Sequence, residues 1–378
     1  MKIILTRDTE PSYVEIPAPD ASFGAPGTVN QTYLHAKHLA ELGHEVYVLG
    51  MLQKEQTQDN VVYIGKKSIN GFRDFIFNTK PEIIITEGGA FLYNVFGKSL
   101  NREAKDALRN TSILHVMHNG PAWKRQASLN YIDYWCYVGE SQKRLIKIGP
   151  CLDLFNATFL RTVHSKTPIK KRKQQIVVVS APIKIGIQEA SEALKRLKKE
   201  FDFKVFFLMP VWFQDRHKFN EIASQFSDIN VVNFSQFGLS KLFKESLAVV
   251  ATFHHGEQCP VTILDAYATG TLCITGNHSS LRRLNPMGIQ CRIQEQYNVF
   301  KWILENPRKA IDLGHKGLKY LKNSDYTESA QKKQLRAIVN FIKENPKASI
   351  LEKKYWRYRY YCQLKYNAFK YYYKNLCL

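Results

Sequence analysis

Short apolar runs rich in β-branched residues alternate with amphipathic stretches along most of the chain. Runs at residues 2–6, 45–49, 81–86, 111–117 and 134–138 each end in a polar loop, and each fits a buried strand. Apolar positions recur at helical spacing over 29–42, 69–78 and 100–109. The alternation breaks near residues 162–175 and then resumes. Strands are predicted there at 175–180, 204–209, 230–234, 247–251 and 272–275, with helices at 187–200, 217–226, 239–246 and from about Pro260 to Thr269. The run from Gln175 to Ser180 is apolar without alternation, as a strand buried on both faces requires. Three further helices, at 298–304, 307–320 and 327–343, complete the pattern. Strands alternating with helices predict an α/β protein with doubly wound parallel sheets. A chain of 378 residues is long enough for two such domains, each with its own core.

The stretch from Leu247 to Gly276 reads as a strand, a polar loop, a helix and a second strand. Its polar residues fall at the carboxyl end of the first strand, the edge where open α/β sheets bind ligands. Pro260 sits where a first helical turn can begin, and Gly270 stops the helix. Amides at such a helix start favour an anion. Two acids eight positions apart, Glu257 and Asp265, frame this start. Taken singly, each also fits an ordinary solvated carboxylate. A similar unit stands near the N-terminus, where a long loop with four prolines ends in Pro26-Gly27-Thr28 ahead of a helix. Its glycines serve either a tight turn or a close approach to a ligand.

The pattern Glu257, Pro260, Leu264-Asp265-Ala266, Ala268 and Gly270 resembles the sugar-nucleotide-binding signature of retaining glycosyltransferases of family 4. The sequence Leu42-Gly43-His44-Glu45-Val46 is similar to another motif of that family. This chain departs from the family in having Asp265 for the usual second Glu, Tyr267 for Met and Leu272-Cys273 for Pro-Val. His254-His255 stands where Pro-Ser is common, and Asn277-His278-Ser279 replaces a glycine pair and an acid.

The resemblance implies a GT-B fold, two Rossmann-like doubly wound domains facing a cleft. The acceptor domain would be residues 1–165, the linker 166–175, the nucleotide-sugar donor domain 176–325, and a helix at 326–345 would cross back to the first domain. It also implies roles. Glu257 and His118 would contact the transferred sugar as catalytic residues, and Asp265 would bond the ribose hydroxyls. Gly27, Thr28, Lys184 and the amides of Thr262, Ile263 and Leu264 would hold the diphosphate, while Phe237 lies where the base stacks. The family's arginine near Lys184 has no counterpart here. Transfer would use a UDP- or GDP-linked sugar as co-substrate, with retention and without an essential metal or other cofactor. The acceptor would be a glycan or a lipid-linked sugar in cell-surface polysaccharide or glycolipid assembly.

Composition changes the picture in one respect. An apolar fraction of 44% and a charged fraction of 23% are those of a soluble globular protein, but the formal net charge is +21. Such a charge implies an anionic partner. Lys166, Lys170, Lys171, Arg172 and Lys173 crowd the linker, which is expected to be solvated. The other concentration lies in residues 346–378, where Lys and Arg interleave with Tyr, Trp and Phe. As a helix, this tail would place Tyr355, Tyr358, Cys362, Tyr366, Phe369, Tyr373 and Leu376 on one side. Basic amphipathic helices with interfacial aromatics suit an anionic membrane surface. Stacking on single-stranded nucleic acid and packing on the protein body are the alternatives. No RNA- or DNA-binding motif is present, so nucleic acid is not an expected partner.

No run of about 18 apolar residues occurs, so no membrane-spanning helix is expected. The first residues read as a strand, not a signal peptide. The seven cysteines are scattered without metal-ligand spacing, which fits reduced thiols. The expected location is cytoplasmic, peripherally associated with the inner face of the cell membrane. Two other functional classes stay open: a GT-B subunit that binds without catalysing, and a charge-driven nucleic-acid-binding protein.

Overall fold

The computed structural model describes residues 1–7, 27–52, 54–65, 67–87, 91–96, 102–118, 132–139, 150–158, 172–179, 186–209, 230–233, 239–251, 253 and 259–345, with positions 347, 349, 352, 353, 355, 358 and 362 of the tail. The chain forms two compact units. The first holds the N-terminal strand, residues 32–155 and the chain from Lys332 onward. The second holds residues 156–331 with the first helical turn, up to Gln31.

The described strands of the first unit are β1 (Lys2–Thr6), β2 (Glu45–Leu49), β3 (Gln56–Gln58), β4 (Val61–Tyr63), β5 (Ile83–Thr86), β6 (Ser112–Met117), β7 (Tyr134–Tyr137) and β8 (Cys151–Asp153). They form one sheet in the order β3-β4-β2-β1-β5-β6-β7-β8. Ile3, Ile4 and Leu5 in β1 and Ile83, Ile84 and Ile85 in β5 are buried, so the central strands are apolar on both faces as a parallel sheet requires. The β3–β4 pair is an antiparallel hairpin turned by Asp59 and Asn60, both at positive φ. The helices are α1 (Gly27–Glu41), α2 (Ile69–Thr79), α3 (Phe91–Phe96) and α4 (Arg102–Ala107). The Ser68 hydroxyl caps α2 by accepting the Gly71 amide.

The second unit carries β9 (Gln175–Val179), β10 (Lys204–Met209), β11 (Asn230–Asn233), β12 (Ala248–Val250), β13 (Leu272–Gly276) and β14 (Ile289–Cys291). Their order is β11-β10-β9-β12-β13-β14, all parallel. All five residues of β9 are buried, in agreement with its unbroken apolar sequence. The helices are α5 (Ile187–Leu197), α6 (Leu239–Glu245), α7 (Val261–Ala268), α8 (Ser279–Leu284), α9 (Gln296–Glu305) and α10 (Pro307–Lys322). A final helix, α11 (Glu328–Glu344), starts in the second unit and belongs to the first from Lys332 onward. There Gln334 accepts the Phe155 amide, and the Tyr134 ring meets Phe341 edge-on. Among the described residues no helix is long and apolar enough to cross a membrane.

The expectation of a solvated linker fails at Arg172. Its guanidinium donates to the carbonyls of Ser246, Thr269 and Gly270 and to the Thr271 hydroxyl. Burial pushes its pKa down to about 10, so it stays charged at neutral pH. The Thr269 and Gly270 carbonyls lie just past the end of α7 and the Ser246 carbonyl just past α6, and helix ends leave acceptors without partners and favour a cation. A basic run in sequence does not tell a solvated charge from one that closes a helix end.

Helix α7 is buried nearly all round, since Val261 and Ile263 through Ala268 are all buried. It can lie so deep because α10 presents glycines. A Cβ at Gly314 would stand 2.3 Å from the Gly270 carbonyl oxygen, and one at Gly317 would stand 2.4 Å from the Tyr267 ring. Alanine in mid-helix would gain about 1 kcal/mol of helix propensity over glycine. Overpacking against backbone costs about 1–3 kcal/mol or more and outweighs it. Gly314→Ala is therefore expected to lower stability in denaturant unfolding, and an unchanged midpoint would contradict this packing.

Candidate functional site

In the first unit the polar residues gather at the carboxyl ends of β5 and β6. Glu87 follows β5, and its carboxylate is fully buried. It accepts three hydrogen bonds, from Thr32 Oγ1 at 2.6 Å, His35 Nδ1 at 2.6 Å and His118 Nε2 at 3.0 Å. Thr32 and His35 come from α1, one turn apart and so on one face. His118 directly follows β6, which pairs in parallel with β5.

Burial alone would raise the Glu87 pKa. The His35 and His118 rings outweigh it and hold the carboxyl well below its usual range. An ionised carboxylate only accepts, so Nε2 of His118 carries the proton. Burial, assisted by Arg7 and His35, pushes the His118 pKa down despite Glu87, which keeps the ring neutral at pH 7. Its Nδ1 therefore presents a lone pair, and that atom is buried without a partner among the described residues. A neutral imidazole oriented by a buried carboxylate can accept a hydrogen bond, or a proton, from a hydroxyl.

In the second unit a different carboxylate is buried. Asp265 lies on α7 with 8% of its surface exposed, and its Oδ1 accepts from Thr158 Oγ1 at 2.8 Å. Burial pushes its pKa up to about 7, which the Thr158 bond only partly offsets. Beside Thr158, Asn156 donates to the Cys259 carbonyl at 3.0 Å. Ala157 exchanges two backbone bonds with the amide of Gln31, which also accepts from Gln331. Residues 156–158 thus tie the first turn of α1 and the start of α11 to α7.

The sequence-based site residues divide accordingly. His118 lies in the first unit, while Gly27, Thr28, Thr262, Ile263, Leu264 and Asp265 belong to the second. Gly27 and Thr28 open α1. Pro260 is the residue before α7 and not its first residue. Ile263 and Leu264 are fully buried, and the Ile263 amide is taken by the Pro260 carbonyl at 3.1 Å, so it is not a free donor. Asp265 faces Thr158 instead of standing open for a ribose. Lys184, Phe237, Glu257 and the pair His254-His255 lie outside the described residues, as do most of the proline-rich loop and the helix expected at 217–226. The sequence pattern places a strand at 81–86 but gives no role to Glu87, the residue that follows it, nor to Thr32, His35 or Thr158.

No protein-family model and no curated protein matches the chain. Solved structures do. A glycosyltransferase from Rickettsia africae ESF-5 superposes with a TM-score of 0.67 at 16% identity, covering 91% of this chain and 99% of that one. Anabaena Alr3699/HepE, solved in complex with UDP-glucose, gives 0.66 at 12% identity, covering 90% and 99%. AviGT4, a glycosyltransferase of avilamycin A biosynthesis, gives 0.58 at 14%, covering 90% and 98%. At such identities the likeness establishes the fold. The chain has the GT-B architecture of two parallel-sheet domains.

The Asp265 pKa carries a sign. A carboxyl raised from its usual value holds its proton in the folded state between about pH 4 and 7 while the unfolded chain has lost it. Stability therefore falls as pH rises through that window. Asp265→Asn keeps an oxygen for Thr158 and removes the titration. The variant should exceed the parent in stability at pH 8, and the gap should close toward pH 4 in thermal or urea unfolding. Parallel profiles would contradict the burial of this group.

Proposed function

We propose that this chain is a glycosyltransferase that moves a sugar from a nucleotide-sugar donor, with retention, to a glycan or lipid-linked acceptor at the cytoplasmic face of a membrane. The observation that carries the reading is His118, held by Glu87 at the carboxyl end of β6 with Nδ1 unpartnered, in a GT-B fold. Support comes also from HepE, which binds UDP-glucose in the same fold.

In this reading the bond between the sugar's anomeric carbon and the diphosphate breaks, the acceptor hydroxyl oxygen bonds that carbon on the same face, and the hydroxyl's proton passes to the departing diphosphate. Charge develops on the leaving diphosphate, so cations and amides near it lower the barrier without a metal. Lys184, the loop ending in Gly27-Thr28 and the start of α7 supply these. Nδ1 of His118 takes a hydrogen bond from a hydroxyl of the transferred sugar. Glu87 is a positioning residue that fixes the ring and its tautomer. The resemblance gives Glu257 a role at the transferred sugar and Phe237 a role at the base. Asp265 is given the ribose on resemblance, and its bond to Thr158 must yield for that.

The experiment is a panel of UDP- and GDP-sugars read by thermal shift and by donor hydrolysis. One donor should stabilise the protein and be turned over. Glu257→Ala and His118→Ala should each lower turnover by about a hundredfold or more while the fold persists, a magnitude usual for groups acting on the transition state. A second reading, a GT-B subunit that does not catalyse, draws on the buried Asp265 and on Asn277-His278-Ser279 in place of the usual glycines. It predicts that no sugar nucleotide binds.

The membrane face rests on the tail. Positions 352, 353, 355, 358 and 362 are helical. Ser349 and Glu352 cap one another reciprocally at its start. Tyr355 and Tyr358 are 59% and 69% exposed on one side of it. Removing residues 346–378 should abolish flotation with liposomes containing anionic lipid. Equal flotation of the truncated protein would refute a tail-borne membrane contact.

A further inference from the structure

The second unit has a cavity of about 330 Å³ that the donor reading does not use. It opens at the carboxyl edge of the sheet, where β12, β13 and β14 end side by side, and Phe253, Gly276, Asn277 and Arg292 line it from those ends. Arg282 lines it from α8. Two guanidinium groups thus share one cavity, and among the described residues that line it there is no carboxylate.

Among the described residues no acid forms an ion pair with either side chain. Glu295, the acid nearest in sequence, directs its carboxylate to the backbone amide of Arg292 at 2.7 Å. Arg282 is anchored, because its Nε donates to the Asn277 side chain, which lines the same cavity. That bond leaves its two terminal amino groups without a partner among the described residues. Such a planar pair matches the oxygens of a phosphate bidentately. Gly276 keeps the wall low. A Cβ there would come within 3.0 Å of the Phe253 Cα. The volume is within the range of small-molecule sites.

We propose that this cavity is a phosphate-binding site, in which Arg282 and Arg292 grip a phosphate or diphosphate group. Such a group comes from one of two sources, the nucleotide of a donor or the diphosphate of a lipid-linked acceptor. The site itself rests on the cavity and its cations and does not require the glycosyltransferase reading.

The test is calorimetric titration of the full chain with inorganic pyrophosphate, comparing the parent with Arg282→Gln/Arg292→Gln. Both side chains are exposed, so the fold should persist, and matched circular dichroism and unfolding midpoints verify this. The expected result is an affinity at least about tenfold weaker in the double variant, as the loss of charge-assisted bonds implies. Equal affinity in the two proteins would overturn the proposal, as would a parent that binds no pyrophosphate at about 1 mM. Titration with UDP, GDP and a short polyprenyl diphosphate separates the sources. A loss for the nucleotides assigns the site to the donor, and a loss for the polyprenyl diphosphate alone assigns it to the acceptor. A parent that binds pyrophosphate but no nucleotide sugar would sink the donor reading and leave the site standing.

Discussion

Parallel pairing is the constraint on which the rest depends. Among the described residues β3–β4 is antiparallel and every other strand pair is parallel. Parallel strands must be joined by crossovers, and all of them end on one edge. Strand interiors here are apolar, so chemistry can only collect where the strands stop. In the first sheet that edge holds Glu87 and His118. In the second it holds Asn277 and Arg292, with Phe253 lining the same cavity. The two sites follow from one topological rule, applied in each unit to different side chains.

Two buried carboxylates show how neighbours decide charge. Burial acts on both in the same direction, against ionisation. Glu87 is met by a hydroxyl and two imidazoles and stays ionised. Asp265 is met by one hydroxyl, and burial prevails. The difference matters chemically. An ionised Glu87 dictates which ring nitrogen of His118 is available, whereas Asp265 sits near its titration point and is a latch between α7 and residues 156–158. Cys259, whose carbonyl receives Asn156, belongs to the same fastening.

The strands were legible because parallel strands need apolar β-branched runs, and such runs are rare elsewhere. β1, β2 and β10 begin and end where the pattern places them. The hairpin β3–β4 escaped because Gln56-Thr57-Gln58 has no apolar face, and its turn residues Asp59 and Asn60 lack the glycine that usually marks such turns. β8, β14 and α8 are too short for any period to register. The site was legible only in part. His118 stands at a strand end in a recognisable context, but Glu87 gains its meaning from His35 and His118, which lie 52 and 31 residues away. Distant partners leave no local signature. Arg172 failed for the same reason in reverse, since its neighbours in sequence are lysines and its neighbours in space are carbonyls.

The charge of the chain can now be apportioned by what each cation touches. Arg172 is spent on a helix end. Lys347 does similar work in the first unit, donating to the carbonyls of Leu108, Arg109 and Thr111 just past α4. Lys353 pairs with the buried carboxylate of Asp133, whose other oxygen accepts the Ile113 amide. These contacts fasten the root of the tail to the body. Tyr355 and Tyr358, which follow directly, make no such commitment and remain exposed. A tail meant only to pack would bury its aromatic side and expose its cations. Among the described residues, Lys347 and Lys353 are anchored at the root while Tyr355 and Tyr358 face outward.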